Sequence, residues 1–167
     1  MDSTVMQMHI GVKLVRPIAM NRRDYNTYRG WEFLADENGD DEGFLIEYLD
    51  GGKANHPDHV GYISWSPKSV FEQAYFKCSG LPFGHALEAA KKGMKIAREG
   101  WYGKGMFVYV VPAASYPAQT GAAKEFFGED AMVPYNAYMA IKSPDGVIST
   151  WVPSSTDTLA DDWCVVD

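Results

Sequence analysis

Phe83-Gly-His-Ala-Leu-Glu-Ala-Ala-Lys-Lys92, followed by Gly93, is the stretch that decides the fold of this chain. Its alanines and leucine recur at helical spacing, which predicts one packed stripe along a helix. Gly93 is the residue type that commonly ends a helix, because glycine reaches the left-handed conformation without a Cβ penalty. We therefore predict one main helix over residues 83–92.

Short apolar runs follow this helix and predict the strands of a sheet. These runs are residues 94–98, 106–111, 137–142, 147–151 and 164–166. Ser143-Pro-Asp-Gly146 has hairpin-turn chemistry, because Pro presets φ and Gly accepts a positive φ. The C-terminal half is therefore predicted to be an antiparallel sheet with one main helix, in the α+β class.

Two further segments interrupt this predicted sheet. Residues 154–160 begin with helix-capping side chains and predict one or two helical turns. Residues 113–134 form a long insertion, of the kind that serves as a mobile flap or an intersubunit arm.

The N-terminal half is rich in loops and in acidic and glycine-rich stretches. Strands are predicted at residues 10–16, 44–49 and 60–65, and a helix over residues 21–29. Ser66 as N-cap and Pro67 as first helical residue favour a second helix up to Tyr75. Gly and Pro in residues 77–82 indicate a linker, which divides the chain into modules 1–80 and 81–167.

The composition is that of a globular protein, with 46% hydrophobic residues and a net charge of −7. Lys and Arg number 8 against 12 Asp and Glu in residues 1–80, and 7 against 10 in residues 81–167. Binding of duplex nucleic acid needs a basic stripe to neutralise phosphates, so that class of partner is excluded. A small anionic ligand held by a few local donors remains compatible with this charge.

Cysteine usage and hydropathy indicate the compartment. Cys78 and Cys164 are the only cysteines, which fits a reduced cytoplasmic protein better than a disulfide framework, although one disulfide remains compatible. No apolar run reaches membrane-spanning length, and residues 1–8 lack the features of a secretory signal. We expect a cytoplasmic protein with no membrane partner.

Two acidic or histidine-bearing loops invite a metal-site interpretation. His56-Pro-Asp-His59 offers nitrogen and oxygen donors, but Pro57 interrupts it and no cysteine accompanies it, which favours a polar turn. Residues 36–47 resemble a calcium loop, except that Asp41 stands where the sharp turn needs glycine. We predict no metal in either loop.

Catalytic motifs are weak in this sequence. Neither cysteine has a neighbouring histidine, and the four histidines are scattered, so no nucleophile with a base stands out. Residues 100–105 are glycine-rich with Lys104, but they lack the spacing of a P-loop. Two interpretations stay open: a backbone that approaches a phosphate with charge from Arg98 or Lys104, or a simple turn before Met106.

Tryptophans near loops are the strongest candidates for function. Trp101 lies in the glycine-rich turn, and Trp151 ends a predicted strand just before Ser154. A tryptophan beside hydroxyls and acids offers a flat apolar face next to hydrogen-bonding groups, which suits a nucleobase or ribose. Trp163 precedes Cys-Val-Val and is predicted to lie in the core, where a tryptophan in a small domain usually packs.

Several ordered motifs carry a family resemblance. They are Phe83-Gly-x-Ala-Leu-x-Ala-x5-Lys95-x-Ala-Arg98-x-Gly-Trp101-x-Gly-Lys-Gly-Met106, Asn136, and Asp145-Gly-x4-Trp151-x2-Ser154-x2-Asp157-x2-Ala160-x-Asp162-Trp163. Over residues 83–167 the chain resembles the second Thoeris anti-defence family of phage proteins. The resemblance implies a small α+β homo-oligomer, a dimer or tetramer, in the cytoplasm of the infected host. It implies a sponge that binds a cyclic ADP-ribose signal, such as glycocyclic ADP-ribose, without cleaving it and without a cofactor.

For a ligand of this class, we expect ligand-binding roles for nine residues of this chain. Trp101 and Trp151 are expected to wall in the adenine, and Arg98 or Lys104 to meet the pyrophosphate. Polar side chains are expected to bond the ribose or the base edges; they are Asn136, Ser154, Thr156 and Asp157. Tyr102 departs from the family, which commonly has Asn there, and this change bears on ligand preference. Some relatives hold cyclic dinucleotides in a separate pocket, an activity that the resemblance does not assign to this chain.

The N-terminal half resembles a different family. Tyr25-Asn-Thr-Tyr-Arg-Gly-Trp31, residues 41–52 and Asn55-His-Pro-x-His-x-Gly-Tyr-Ile-Ser-Trp-Ser-Pro67 are similar to an uncharacterised family of small phage proteins, which implies no activity. Two alternatives to a sponge therefore remain. One is a cyclic-nucleotide hydrolase, and the other is a phage structural or interaction protein led by the N-terminal module.

Overall fold

The computed structural model describes residues 8–101 and 105–166. The chain divides into two compact units, the first ending at Tyr75 and the second beginning at Phe76. Each unit combines helices with antiparallel sheets, which confirms the predicted α+β class. Across the described residues, no helix combines the length and the apolar character that a membrane span needs.

From residue 8 onward, the first unit has a three-stranded antiparallel sheet and two helices. Its elements are β1 (Val15–Ala19), α1 (Arg22–Arg29), β2 (Gly43–Tyr48), β3 (Ile63–Pro67) and α2 (Lys68–Ala74). The sheet order is β1-β2-β3. Tyr25 of α1 packs against Leu45 and Ile63, and these three side chains form the buried centre of the unit.

Local chemistry explains α1. The Asn21 side chain accepts a hydrogen bond from the Asp24 N–H at 2.7 Å and so caps the first turn. Gly30 ends the helix at φ 69°, a conformation that favours glycine. The predicted helix over residues 21–29 is therefore confirmed.

Two local predictions in this unit are wrong in detail. β1 begins at Val15 and runs through Pro17, which is tolerated because β1 is an edge strand and its missing N–H is not needed by a neighbour. Ser66 is not the N-cap of α2; it lies in β3, in register with Phe44, and Pro67 takes the N-cap position without a side-chain cap bond. Strand pairing outweighs the capping preference of Ser66.

The second unit contains a six-stranded antiparallel sheet in the order β10-β9-β6-β5-β11-β4. In chain order its elements are β4 (Ser79–Leu81), α3 (Phe83–Lys91), β5 (Lys95–Arg98), β6 (Phe107–Val111), β7 (Ala114–Pro117), α4 (Gly121–Phe127), β8 (Met132–Tyr135), β9 (Tyr138–Lys142), β10 (Ile148–Trp151), α5 (Ser155–Thr158) and β11 (Trp163–Val166). The strands predicted after the main helix are all present, each with bounds shifted by one residue at most.

The main helix packs on the middle of this sheet. Ala86 and Ala90 are fully buried on α3, and their small side chains let the helix approach Ile96 of β5 and Val108 of β6 closely. Gly93 follows the helix at φ 89°, as its sequence position predicts. The predicted main helix is confirmed.

The predicted linker is wrong in one respect. Within residues 77–82, Ser79–Leu81 form the edge strand β4, which pairs with β11 so that Leu81 lies opposite Trp163. Gly80 has φ 77° and accompanies a shift of register in this pairing. Gly and Pro in this segment predicted an irregular backbone. A three-residue strand such as β4, however, cannot be distinguished from a linker until its partner strand, β11, is known.

The insertion between β6 and β9 forms its own small structure. β7 and β8 pair antiparallel, with Tyr116 opposite Val133, and α4 lies between them in the chain. Phe126 and Phe127 of α4 are exposed. The insertion is thus built around a two-stranded sheet, and its role as a flap or an intersubunit arm stays a prediction.

Candidate functional site

Four aromatic side chains of the second unit form one cluster, which we call the tryptophan cluster: Phe83, Trp101, Trp151 and Trp163. Trp163 is fully buried at its centre, and the rings of Trp101 and Trp151 lie 5.3 and 5.9 Å from it. Trp101 and Trp151 are 6.2 Å apart. All three tryptophan pairs meet edge to face, the arrangement that aromatic quadrupoles favour. The prediction that Trp163 lies in the core is confirmed.

Trp151 and Trp163 lie on the same face of the sheet, as the strand registers show. Trp151 ends β10 and Trp163 begins β11, the first and fifth strands of the sheet order. Four strand spacings amount to about 19 Å in a flat sheet. The long indole side chains and the twist of the sheet together bring the two rings to 5.9 Å. The cluster therefore lies on the face of the sheet that packs against α3.

Trp101 and Trp151 are half-buried, whereas Trp163 is covered completely. Trp101 follows β5, in a turn where its N–H donates to the Arg98 carbonyl at 3.2 Å. Both half-buried rings pack against the hydrophobic core on one side. Each ring thus keeps part of its surface available at the edge of the core.

Arg98 lies at the end of β5, directly opposite Trp163 in the strand register. Its guanidinium donates to both carboxylate oxygens of Asp162, from Nε at 2.8 Å and from Nη2 at 3.3 Å. Nη1 donates to Asp157 Oδ1 at 3.0 Å. The Arg98 side chain is 19% exposed, so this network is shielded from much of the solvent. We call these three residues the Arg98 network.

Asp157 connects the Arg98 network to the α5 turn. Its Oδ2 accepts from the Ser154 N–H at 3.0 Å and from the Ser154 hydroxyl at 2.7 Å, and its own N–H donates to Ser154 Oγ at 3.2 Å. This is a capping box, which satisfies N–H groups at the start of a helix. Asp157 therefore uses one carboxylate oxygen for the turn and the other for Arg98.

These contacts shift the ionisation of both carboxylates. The hydrogen bond from Arg98 lowers the pKa of Asp162 against the opposing effect of partial burial. Partial burial by itself raises the pKa of Asp157, but hydrogen bonds from Ser154 and Arg98 outweigh it, and the pKa lies below its ordinary value. Both carboxylates thus stay ionised beside Arg98 at neutral pH.

The other residues predicted for the site lie at its margins. Thr156 is exposed on α5, and Asn136 is exposed two residues before β9 begins. Asn136 is at the same end of the sheet as Trp151, because Trp151 pairs with Met139. Tyr102 and Lys104 fall outside the described residues.

Sequence reasoning missed two features of this site. It assigned no role to Phe83, whose ring lies 5.3 Å from that of Trp163. It also missed that Arg98 is paired with Asp162 and Asp157. The spacing of these acids gives no direct signal for the pairing, which depends on β5 and β11 being neighbours in the sheet.

The histidines of the first unit pack around Tyr28. The His56 ring stacks on that of Tyr28 at 4.4 Å, and His59 Nε2 lies 3.0 Å from the Tyr28 hydroxyl oxygen. His59 Nδ1 is 3.5 Å from Glu47 Oε2. Glu47 also accepts from the Gly61 N–H, which holds the pKa of that carboxyl below its ordinary value. In residues 8–101 and 105–166, no group of three or more His, Cys, Asp or Glu side chains is arranged to hold a metal ion.

Comparison with known proteins places the second unit in a class. A model of the Thoeris anti-defense 2-like domain matches residues 81–166, which contain the tryptophan cluster and the Arg98 network. The class is therefore that of anti-defence proteins directed at Thoeris. A protein called Thoeris anti-defense 2, from Bacillus phage SP01, is 40% identical over 87 residues, which are 52% of this chain and 94% of that protein. The chain belongs to the Thoeris anti-defense 2-like family.

Proposed function

We propose that this protein is a phage anti-defence sponge, which binds and sequesters a cyclic ADP-ribose immune signal in the host cytoplasm without cleaving it. The observation that carries the proposal is the pair of half-buried rings, Trp101 and Trp151, 6.2 Å apart inside the matched family domain. Rings anchored on one side by a core are rigid, so they present a preorganised apolar face at little entropic cost. Such a face suits adenine.

Polar groups around this face complete the proposed site. Thr156 and Asn136 are exposed at its margins, where they can bond ribose hydroxyls or base edges. Ser154 and Asp157 belong to the same polar margin, although each already bonds the other. Lys104 is the basic residue that we expect near the pyrophosphate, because Arg98 is already paired with two carboxylates.

Sequestration demands high affinity, since a sponge competes with a receptor for the signal. A nanomolar dissociation constant corresponds to about −12 kcal/mol. Stacking contributes roughly 1–3 kcal/mol per base and each charged hydrogen bond roughly 1.5–3 kcal/mol, so a preformed pocket can reach this value. A homo-oligomer, dimer or tetramer, adds surface from a second copy and buries more of the ligand.

The polar groups beside the tryptophan cluster are already hydrogen-bonded to one another, which favours binding over hydrolysis. The Ser154 hydroxyl donates to Asp157, and Asp157 and Asp162 accept from Arg98. A carboxylate with a lowered pKa whose two oxygens both already accept hydrogen bonds is a poor general base. These existing hydrogen bonds support the proposal that the ligand is bound without being cleaved.

The decisive experiment is recovery of the ligand. We expect glycocyclic ADP-ribose to bind the purified protein, to disappear from the free fraction, and to return intact when the complex is heat-denatured. Recovery of a linear product would instead show that the protein is a cyclic-nucleotide hydrolase. Absence of binding would favour the alternative of a phage structural or interaction protein. Parallel titrations with cyclic dinucleotides test for a second ligand class, and the double variant Trp101→Ala/Trp151→Ala is the non-binding control.

A further inference from the structure

Among the described residues, Arg98 is the cation nearest in sequence to Trp101 of the proposed binding face. Both edges of its guanidinium already donate hydrogen bonds. Nε and Nη2 form a two-pronged contact with Asp162, and Nη1 reaches Asp157. The Arg98 network contains one guanidinium and two carboxylates, so its net charge is −1. Such a group attracts a diphosphate poorly.

We propose that Arg98 is a positioning residue, which sets the α5 turn against the turn carrying Trp101 and does not itself bind the ligand's phosphates. The inference rests on the proposed function, and it assigns the anion-binding role to other cations.

The positions of the two carboxylates and two backbone hydrogen bonds support this proposal. Asp157 lies in the α5 turn, and Asp162 directly precedes Trp163 at the start of β11. The Glu99 N–H donates to the Asp162 carbonyl at 2.9 Å, and the Trp101 N–H donates to the Arg98 carbonyl. The Arg98 side chain therefore ties the α5 turn, which carries the hydroxyl groups, and the start of β11 to the turn after its own strand, which carries Trp101.

The chemistry of arginine makes the proposal testable by replacement with lysine. Lysine keeps the positive charge but lacks the planar fork that serves Asp162 and Asp157 together. A phosphate contact made by charge survives largely in Arg98→Lys, whereas a positioning role is lost in Arg98→Lys as fully as in Arg98→Gln. For Asp162→Asn, the two roles predict opposite changes in ligand affinity. If Arg98 binds the phosphates, its release from Asp162 should tighten binding. If Arg98 positions the turn, the loosened turn should weaken binding.

The experiment is titration of glycocyclic ADP-ribose into wild type and these variants, at several salt concentrations, under conditions where far-UV circular dichroism shows each protein folded. We expect Arg98→Lys, Arg98→Gln and Asp162→Asn each to weaken binding about tenfold or more, with the salt dependence of wild type retained. Lys91→Gln, which removes a cation from an exposed ion pair with Glu88, is the matched control and keeps wild-type affinity. Binding by Arg98→Lys within twofold of wild type, or tighter binding by Asp162→Asn, overturns the proposal.

A second readout separates this proposal from the proposed function. In the unliganded protein, amide hydrogen exchange at residues 154–159 and at Trp101 should be faster in Arg98→Lys, Arg98→Gln and Asp162→Asn, and unchanged in Lys91→Gln. Tryptophan emission should shift to the red in the same three variants as Trp101 leaves the cluster. If wild type binds no glycocyclic ADP-ribose, the proposed function fails, and these ligand-free measurements decide the role of Arg98. If hydrogen exchange and tryptophan emission in the three variants were identical to those of wild type, the positioning role of Arg98 would be overturned.

Discussion

The indole Nε1 of Trp163 donates a hydrogen bond to the backbone carbonyl of Asp157 at 2.9 Å. This bond joins the most deeply buried ring of the second unit to the short α5 turn. The carboxylate of the same Asp157 bonds Arg98 and Ser154. The core and the polar margin of the proposed site are therefore parts of one connected structure.

Replacement of Trp163 should be the most destabilising single change in the tryptophan cluster. Trp163→Ala should lower the free energy of unfolding of the second unit by about 3–5 kcal/mol, because it leaves a cavity at the centre. Trp163→Phe should cost less: it removes the indole donor to the Asp157 carbonyl, which keeps the Ala160 N–H at 3.4 Å, so the lost hydrogen bond is worth about 0.5–1.5 kcal/mol. Urea unfolding measures both. Trp31→Phe is the control, because Trp31 is 51% exposed in the first unit, and a change there as large as at Trp163 would contradict this account.

Trp101→Ala and Trp151→Ala should each weaken binding of glycocyclic ADP-ribose by about tenfold to hundredfold, since one stacked ring contributes roughly 1–3 kcal/mol. Calorimetry gives the affinity, and size-exclusion chromatography with light scattering checks that the oligomer is retained. Trp31→Ala is the matched control. Normal binding by both variants would show that the pocket is elsewhere.

Ser154→Ala removes one half of the capping box and should lower the free energy of unfolding by about 1 kcal/mol. The expected local effect is faster amide exchange across residues 155–158, because the start of α5 loses its cap. Ser155→Ala, in the same turn but without a role in the capping box, serves as the control. Equal effects of the two substitutions would refute the assigned role of Ser154.

Stability should fall in acid because Asp157 and Asp162 have a lowered pKa in the folded protein. In the unfolded chain their pKa returns to about 3.9, so the unfolded state binds protons first as the pH falls. The stabilisation is present above that value and is lost as the pH drops through the lower folded values. Urea unfolding from about pH 6 to about pH 3 should therefore show a smaller decline for Asp162→Asn than for wild type. Asp130→Asn, an exposed change in the same unit, should follow the wild-type curve.

Local signals in the sequence predicted most of the secondary structure. Gly93 and Gly146 have the positive φ that their turn positions require, at 89° and 91°. Asn21 and Ser154 cap the helices that follow them. The glycine turns and the Ser154 cap depend on a few neighbouring residues, which is why a single sequence predicts them; the Asn21 cap is equally local but was not predicted.

Features that depend on distant partners were harder to predict. β4 exists because Leu81 pairs with Trp163, 82 residues away in the chain, and Ser66 joins β3 because it pairs with Phe44. The Arg98 network likewise depends on β5 lying beside β11. Periodicity predicts that a strand forms, but it does not predict which strand becomes its neighbour.

The sheet order places β11, the last strand of the sheet in sequence, between β4 and β5. During synthesis on the ribosome, β4 and β5 emerge well before the strand that separates them. β5 can pair with β6 early, but the pairing of β4 and of β5 with β11 must wait until Trp163 has emerged. Contacts between residues far apart in sequence form slowly for the same reason. The tryptophan cluster and the Arg98 network can therefore form only late in folding, and the proposed binding face is completed only after β11 has been synthesised.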